Sequence, residues 1–154
     1  DGSSVMQLSE HFSLAELTKS STAARMGINN EPRAEVIKKL VLVCKNILEP
    51  VRNHYGIPFS PSSGFRCLEL NQAIGSTDKS QHVLGEAVDF EVPGVSNRET
   101  AFWIRDNCEF DQLILEFHKE EDPNSGWIHG SYKGGGKNRK SSIAFDGKTW
   151  SLLE

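Results

Sequence analysis

The chain predicts an α+β fold in which helices pack on a mainly antiparallel sheet, and three observations carry that prediction. Apolar residues recur at three and four positions through the first half of the sequence and alternate with period two through much of the second. The runs follow one another as helix, helix, strand, helix, strands, helix, strands, without a repeated βαβ unit. The 154 residues suit one domain, expected over 6–154, since domains usually run to about 100–200 residues.

Each element has its own signal. Ser13 and Glu16 have the spacing of a capping box and start a short helix. Glu31-Pro32 opens a long helix, with proline in the first turn where its missing N–H costs nothing. Val36, Leu40, Val43, Cys44, Ile47 and Val51 form its buried face, Pro50 is expected to kink or break it, and Gly56 ends it. Residues 63–66 read as a strand between turn residues, followed by a short helix over 68–74. A further strand-like run holds Val88, Phe90 and Val92, and Ser96 with Glu99 starts another helix to about Asn107. In residues 111–118 alternation puts Leu113, Leu115 and Phe117 on one face and Ile114, Glu116 and His118 on the other. The strand over 127–132 is expected to return antiparallel to it, and a hairpin through Asp146-Gly147 closes the chain.

Composition narrows the classes of function. Hydrophobic residues at 37% and charged residues at 25% are ordinary for a chain with a real core, and no apolar run approaches the ~20 residues of a membrane span. A formal net charge of -4 argues against a nucleic-acid partner, whose phosphates call for clustered Lys and Arg. The one basic cluster is local, over residues 133–140, and reads as a glycine-rich loop. Cys44, Cys67 and Cys108 are odd in number and lack Cys-x-x-Cys spacing, so neither a disulfide framework nor a thiolate metal site is expected. Residues 1–5 read as a cloning scar, a disordered end or the start of a trimmed mature chain; no signal peptide is visible, and export stays open.

The chemistry concentrates in Ser80-Gln-His82-Val-Leu-Gly85-Glu-Ala87-Val-Asp89. Imidazole and carboxylate are both good zinc ligands, and an open catalytic zinc needs three such groups plus a water. His129, in Gly126-Trp127-Ile128-His129, is the best third ligand. A lone histidine in a strand is more often a hydrogen-bonded core residue, the default for His11, His54 and His118. Asp89 lies in an apolar strand, where an unpaired anion is costly, so a metal or cationic partner is favoured over plain exposure.

Ser-x-His-x-x-Gly-x-Ala-x-Asp, preceded by Ser63-Gly-Phe-Arg66 and followed by Glu116 and Trp127-Ile-His129, resembles the zinc D-alanyl-D-alanine carboxypeptidase family. That family includes D,D-dipeptidases and phage cell-wall endopeptidases, and it shares its fold with the Hedgehog signalling domain. The resemblance implies a Hedgehog-like α+β fold, one Zn2+ on His82, Asp89 and His129, and hydrolysis of peptidoglycan stem peptides. It implies Glu116 as general base and acid and Arg66 as the cation facing the substrate carbonyl. Relatives with Glu-x-x-His carry the base where this chain has Gly126, so Glu120, Glu121 and Asp122 compete with Glu116 for that role. Ser80, His118 and Arg139 are candidate substrate contacts, Ser80 also as support for a ligand. Cleavage of terminal D-Ala-D-Ala and endopeptidase cleavage, including the L-alanyl-D-glutamate type, both stay open. The implied setting is the cell envelope, or a phage-encoded protein acting on a host wall, and a monomer is expected. The alternative is a metal-containing wall-binding module without catalysis.

Overall fold

The computed structural model describes residues 6–153, so the expected scar at 1–5 lies outside the described residues. Two short helices, α1 (Leu14–Thr18) and α2 (Ser21–Met26), open the chain, and the capping box of Ser13 and Glu16 is formed. The long helix begins at α3 (Ala34–Val43) rather than at Glu31-Pro32, because Arg33 is still extended at φ -76° and ψ 165°. It continues through a π-helical turn (Cys44–Leu48) into α4 (Glu49–Tyr55). The expected break at Pro50 is therefore a π-turn instead. Proline would clash with the carbonyl four residues back, and widening the preceding turn, with Glu49 N–H reaching Cys44 O, relieves that clash without ending the helix. Cys44, Ile47, Leu48 and Val51 stay fully buried across the join. At roughly 1.5–3 kcal/mol for each large aliphatic side chain removed from water, that continuous face holds the helix to the core.

Helices α5 (Leu68–Ala73) and α6 (Gln81–Leu84) precede β1 (Ala87–Phe90), and α7 (Asn97–Asn107), capped by Ser96, precedes β2 (Gln112–Glu116). Strands β3 (Trp127–Ser131), β4 (Ser141–Phe145) and β5 (Trp150–Leu152) complete a five-stranded sheet of order β1-β3-β2-β4-β5. Among the described residues β2 and β4 pair parallel and the other strand pairs are antiparallel. The α+β architecture with a mainly antiparallel sheet is thus observed.

Residues 63–66 are not a strand. A single bridge joins Ser63 to Asp89, then Phe65 N–H donates to Leu17 O at 2.7 Å and Arg66 N–H to His82 O at 3.2 Å, so the segment leaves β1 after one pair and does not continue as a sheet ladder.

Register and alternation give the sheet two distinct faces. Val88, Phe90, Leu113, Leu115 and Ile128 join Leu40, Val43, Ile47, Ala101 and Ile104 in the buried cluster beneath the helices. On the opposite face, Asp89 pairs with His129 and His129 with Ile114, which pairs in turn with Ile143. Two residues along, Trp127 pairs with Glu116, Glu116 with Phe145, and Phe145 with Trp150.

Candidate metal centre

His82 sits on the single turn α6, whose N-cap Ser80 Oγ accepts the His82 backbone N–H at 3.2 Å. Its Nδ1 lies 2.7 Å from Gly64 O. A carbonyl only accepts, so Nδ1 donates here and Nε2 is the nitrogen turned toward Asp89. Gly64 is required here: a Cβ would overlap the Leu17 carbonyl against which this segment packs. Asp89 and His129 face each other across β1 and β3, so one helical turn and two strands supply the three side chains.

The donor atoms converge. His82 Nε2 is 3.4 Å from Asp89 Oδ2 and His129 Nδ1 is 3.0 Å from Asp89 Oδ1, and all three donors fall within 4.8 Å of one another. Ligands of a tetrahedral zinc at about 2.0–2.2 Å stand roughly 3.3 Å apart, so this set fits the ion by both chemistry and spacing. Burial alone would raise the Asp89 carboxyl. Hydrogen bonds from His129 and His82 override it and hold the group well below the usual carboxylate range, ready as an anionic ligand.

Glu116 lies on the same sheet face, two residues along β2 from Ile114, the register partner of His129. Burial raises its carboxyl above the ordinary value and Asp89 adds to the rise, while His129 and Arg66 oppose it. A carboxylate moved toward neutrality is better matched to taking and returning a proton. The competing acids lie elsewhere. Glu120 pairs with Arg98 at 2.8 Å on an exposed loop, and Glu121 and Asp122 are exposed on that same loop. Gly126, where other relatives carry the base, has φ 72° and lies against the Glu116 carbonyl, leaving no room for a side chain.

Arg66 is held from several directions. Its guanidinium donates to Asn71 Oδ1 and Ser63 Oγ, each at 3.2 Å, and to Ser80 Oγ at 3.4 Å. Burial lowers its pKa while the charges of Asp89 and Glu116 oppose that shift, so the cation stands in the field of the site. Ser80 thus supports both His82 and Arg66. Asn30 clamps the flanks, donating to Phe65 O at 3.0 Å and accepting from Cys67 N–H at 2.7 Å.

Two candidate substrate contacts need revision. His118 does not share the face of Glu116: Phe117 adopts a left-handed φ of 57°, which ends the alternation. His118 instead bonds Ser125 and lines a cavity with Arg98, Leu115 and Phe145. Arg139 spends Nε and Nη2 on the buried Asp111, at 3.0 and 2.8 Å, and holds that carboxyl down at about 2. It still lines a cleft beside His129 with Ser80 and Ile114. Sequence reasoning missed Asn30, Asn71 and Asp111, whose partners are set by tertiary contacts that no local pattern reveals.

Three donors spaced to hold a metal ion, flanked by a carboxylate and a fixed guanidinium, make an arrangement suited to metal-assisted hydrolysis. A family model described as Peptidase M15 matches residues 10–122, and the chain belongs to that family of zinc peptidases. The match takes in Arg66, His82, Asp89 and Glu116 but ends before His129, whose place beside the others comes from strand register alone. No curated protein matches the chain.

Proposed function

We propose that this chain is one zinc peptidase domain that hydrolyses peptide bonds of bacterial peptidoglycan stem peptides, on the fold of the Hedgehog and D-alanyl-D-alanine carboxypeptidase group. The observation that carries the reading is the register of β1, β3 and β2, with Asp89 and His129 paired and Glu116 diagonal to them in a Peptidase M15 chain. His82, Asp89 and His129 would hold the ion. Bound there, zinc supplies a Lewis acid and a water acidic enough to attack near neutral pH.

The chain's own groups do the rest. Glu116 takes the proton of the attacking water and returns it to the departing amine, so that a single carboxyl serves both steps. Arg66, fixed by Ser63, Asn71 and Ser80, offers a guanidinium to the carbonyl oxygen as charge develops on it. A cleft of about 440 Å³ runs beside His129 and is lined by Lys79, Lys133 and Arg139, with Glu86 as its acidic member. Glu86 is already paired with Lys39 at 3.0 Å and Arg139 with Asp111 at 2.8 Å, so Lys79 and Lys133 are the cations that favour a carboxylate-bearing substrate such as a stem peptide. The setting that follows is the cell envelope, or a phage-encoded enzyme acting on a host wall.

Digestion of purified muropeptides by the zinc-loaded protein, with mass analysis of the products, tests the reading. Release of D-alanine is the carboxypeptidase outcome, and internal cleavage is the endopeptidase one. Tight binding without any cleavage would leave a recognition module.

A further inference from the structure

Next to the metal row the same sheet face carries a row of aromatic side chains, with Glu116 on β2 between them, whose rings the hydrolytic chemistry does not use. Trp127, Phe145 and Trp150 follow one another across the sheet in register with Glu116. Phe145 and Trp150 stack at 4.2 Å and 22°, and Trp150 remains 55% exposed. Adjacent strands lie about 4.8 Å apart, so the row from β3 to β5 spans roughly 14 Å.

Phe117 shows that this wall is built rather than left over. Alternation would send its ring to the core face with Leu113 and Leu115. Its left-handed backbone instead brings the ring against Trp127 at 5.1 Å and Phe145 at 5.7 Å. Such a φ is costly for a bulky residue and persists only where the surroundings enforce it. The surroundings do so: Gly126 packs on the Phe117 backbone, and Gly147 of the β4–β5 turn packs on its ring, each closer than a Cβ would allow. Asp146 Oδ1 accepts the N–H groups of Lys148 and Thr149, at 2.8 and 2.7 Å, and fixes that turn.

We infer that this aromatic face docks the glycan of the peptidoglycan strand, holding the sugar to which the stem peptide is attached; the inference rests on the stem-peptide reading above. The residues of a stem peptide are small or charged and offer little to a wall of flat rings. Pyranose rings present C–H faces to aromatic planes and hydroxyls at their rim, and the polar turn residues Asp146, Lys148 and Thr149 lie between Phe145 and Trp150 in the chain. An exposed apolar patch rimmed by polar groups and continuous with a reactive site is a recognition surface, and its rigidity lowers the entropic cost of binding. The glycan is covalently joined to the stem, so a stem at the metal row must bring its sugar nearby. The face then has a polarity. Carboxylates enter the basic cleft on one side of the metal row, and the sugar lies on the aromatic row on the other.

The test compares the zinc-loaded protein on a disaccharide-linked stem peptide and on the identical free peptide. Wild type is expected to show a KM roughly tenfold lower for the sugar-linked substrate with similar kcat, the scale of one good aromatic contact. Trp150→Ala should remove that difference while leaving the free peptide unaffected, and Trp150→Phe should restore part of it. A titration with N-acetylglucosaminyl-N-acetylmuramic acid alone, followed by tryptophan fluorescence, should saturate in wild type and not in Trp150→Ala. Equal KM values, or no response to the disaccharide, would overturn the inference. So would a concentration-dependent dimer abolished by Trp150→Ala, which would give this face to a second copy. Failure to cleave either substrate would sink the peptidase reading, and the disaccharide titration would still decide this one.

Discussion

His82, Asp89 and His129 at the sheet, and Glu10, His11 and Glu49 at the N-terminal segment, are both groups of imidazole and carboxylate close enough to hold an ion. Their surroundings separate them. Glu49 Oε2 already accepts from Ser9 Oγ and His11 N–H, and His11 Nδ1 lies 2.6 Å from Oε1, so this carboxylate is spent tying a loop to α4. Glu10 is an exposed neighbour on the same loop as His11. In the other group the donors arrive from α6, β1 and β3, and each is oriented by backbone that the fold fixes for other reasons. Donor chemistry within reach is common; rigid convergence beside Glu116 and Arg66 is what makes a site.

The comparison breaks first on one substitution made in both regions. Glu116→Gln is expected to keep zinc and fold while turnover on muropeptides falls roughly 100-fold or more, the scale of a lost general base. Glu49→Gln should leave turnover within a factor of about two and instead cost about 1 kcal/mol of stability. Full activity in Glu116→Gln would move the base elsewhere. Arg66→Lys comes next: the compact ammonium cannot reproduce contacts to Ser63, Asn71 and Ser80, so turnover should fall about tenfold or more with zinc content unchanged. An unaltered kcat/KM would return Arg66 to a structural role.

The smallest expected effect is on pH dependence. Burial pushes the Glu49 carboxyl up, but hydrogen bonds from Ser9 and His11 outweigh it and leave the folded-state value depressed. A depressed carboxyl contributes stability that is complete above its unfolded value, about 4.3, and is lost as pH falls through the folded value. Urea unfolding of the metal-free protein between about pH 6 and about pH 3 should therefore fall more steeply for wild type than for Glu49→Gln. Parallel curves would remove Glu49 from the acid response.

The convergence of His82, Asp89 and His129 was legible because two of these candidate ligands share one motif and the third lies in a short strand. His82 and Asp89 are seven positions apart with α6 and the start of β1 between them, so local structure alone brings them together. What was not legible depended on backbone conformation or distant partners. Alternation assigned His118 to the face of Glu116 by assuming that β2 continued, and the left-handed Phe117 ends it. Arg139 read as a loop cation because its partner, Asp111, is 28 residues away. The strand expected over 63–66 was an extended segment whose backbone hydrogen bonds are divided among β1, α1 and α6, with a close approach to α1 at Gly64.

Zinc content per chain, measured by elemental analysis on wild type, His129→Ala and Glu49→Gln, tests the central claim most directly. His129 is the informative ligand, since it lies outside the family match and joins the site through strand register alone. The structure predicts about one zinc in wild type, about one in Glu49→Gln and essentially none in His129→Ala, because two remaining donors do not make a three-ligand site. Full zinc in His129→Ala, or a second zinc lost on replacing Glu49, would contradict it.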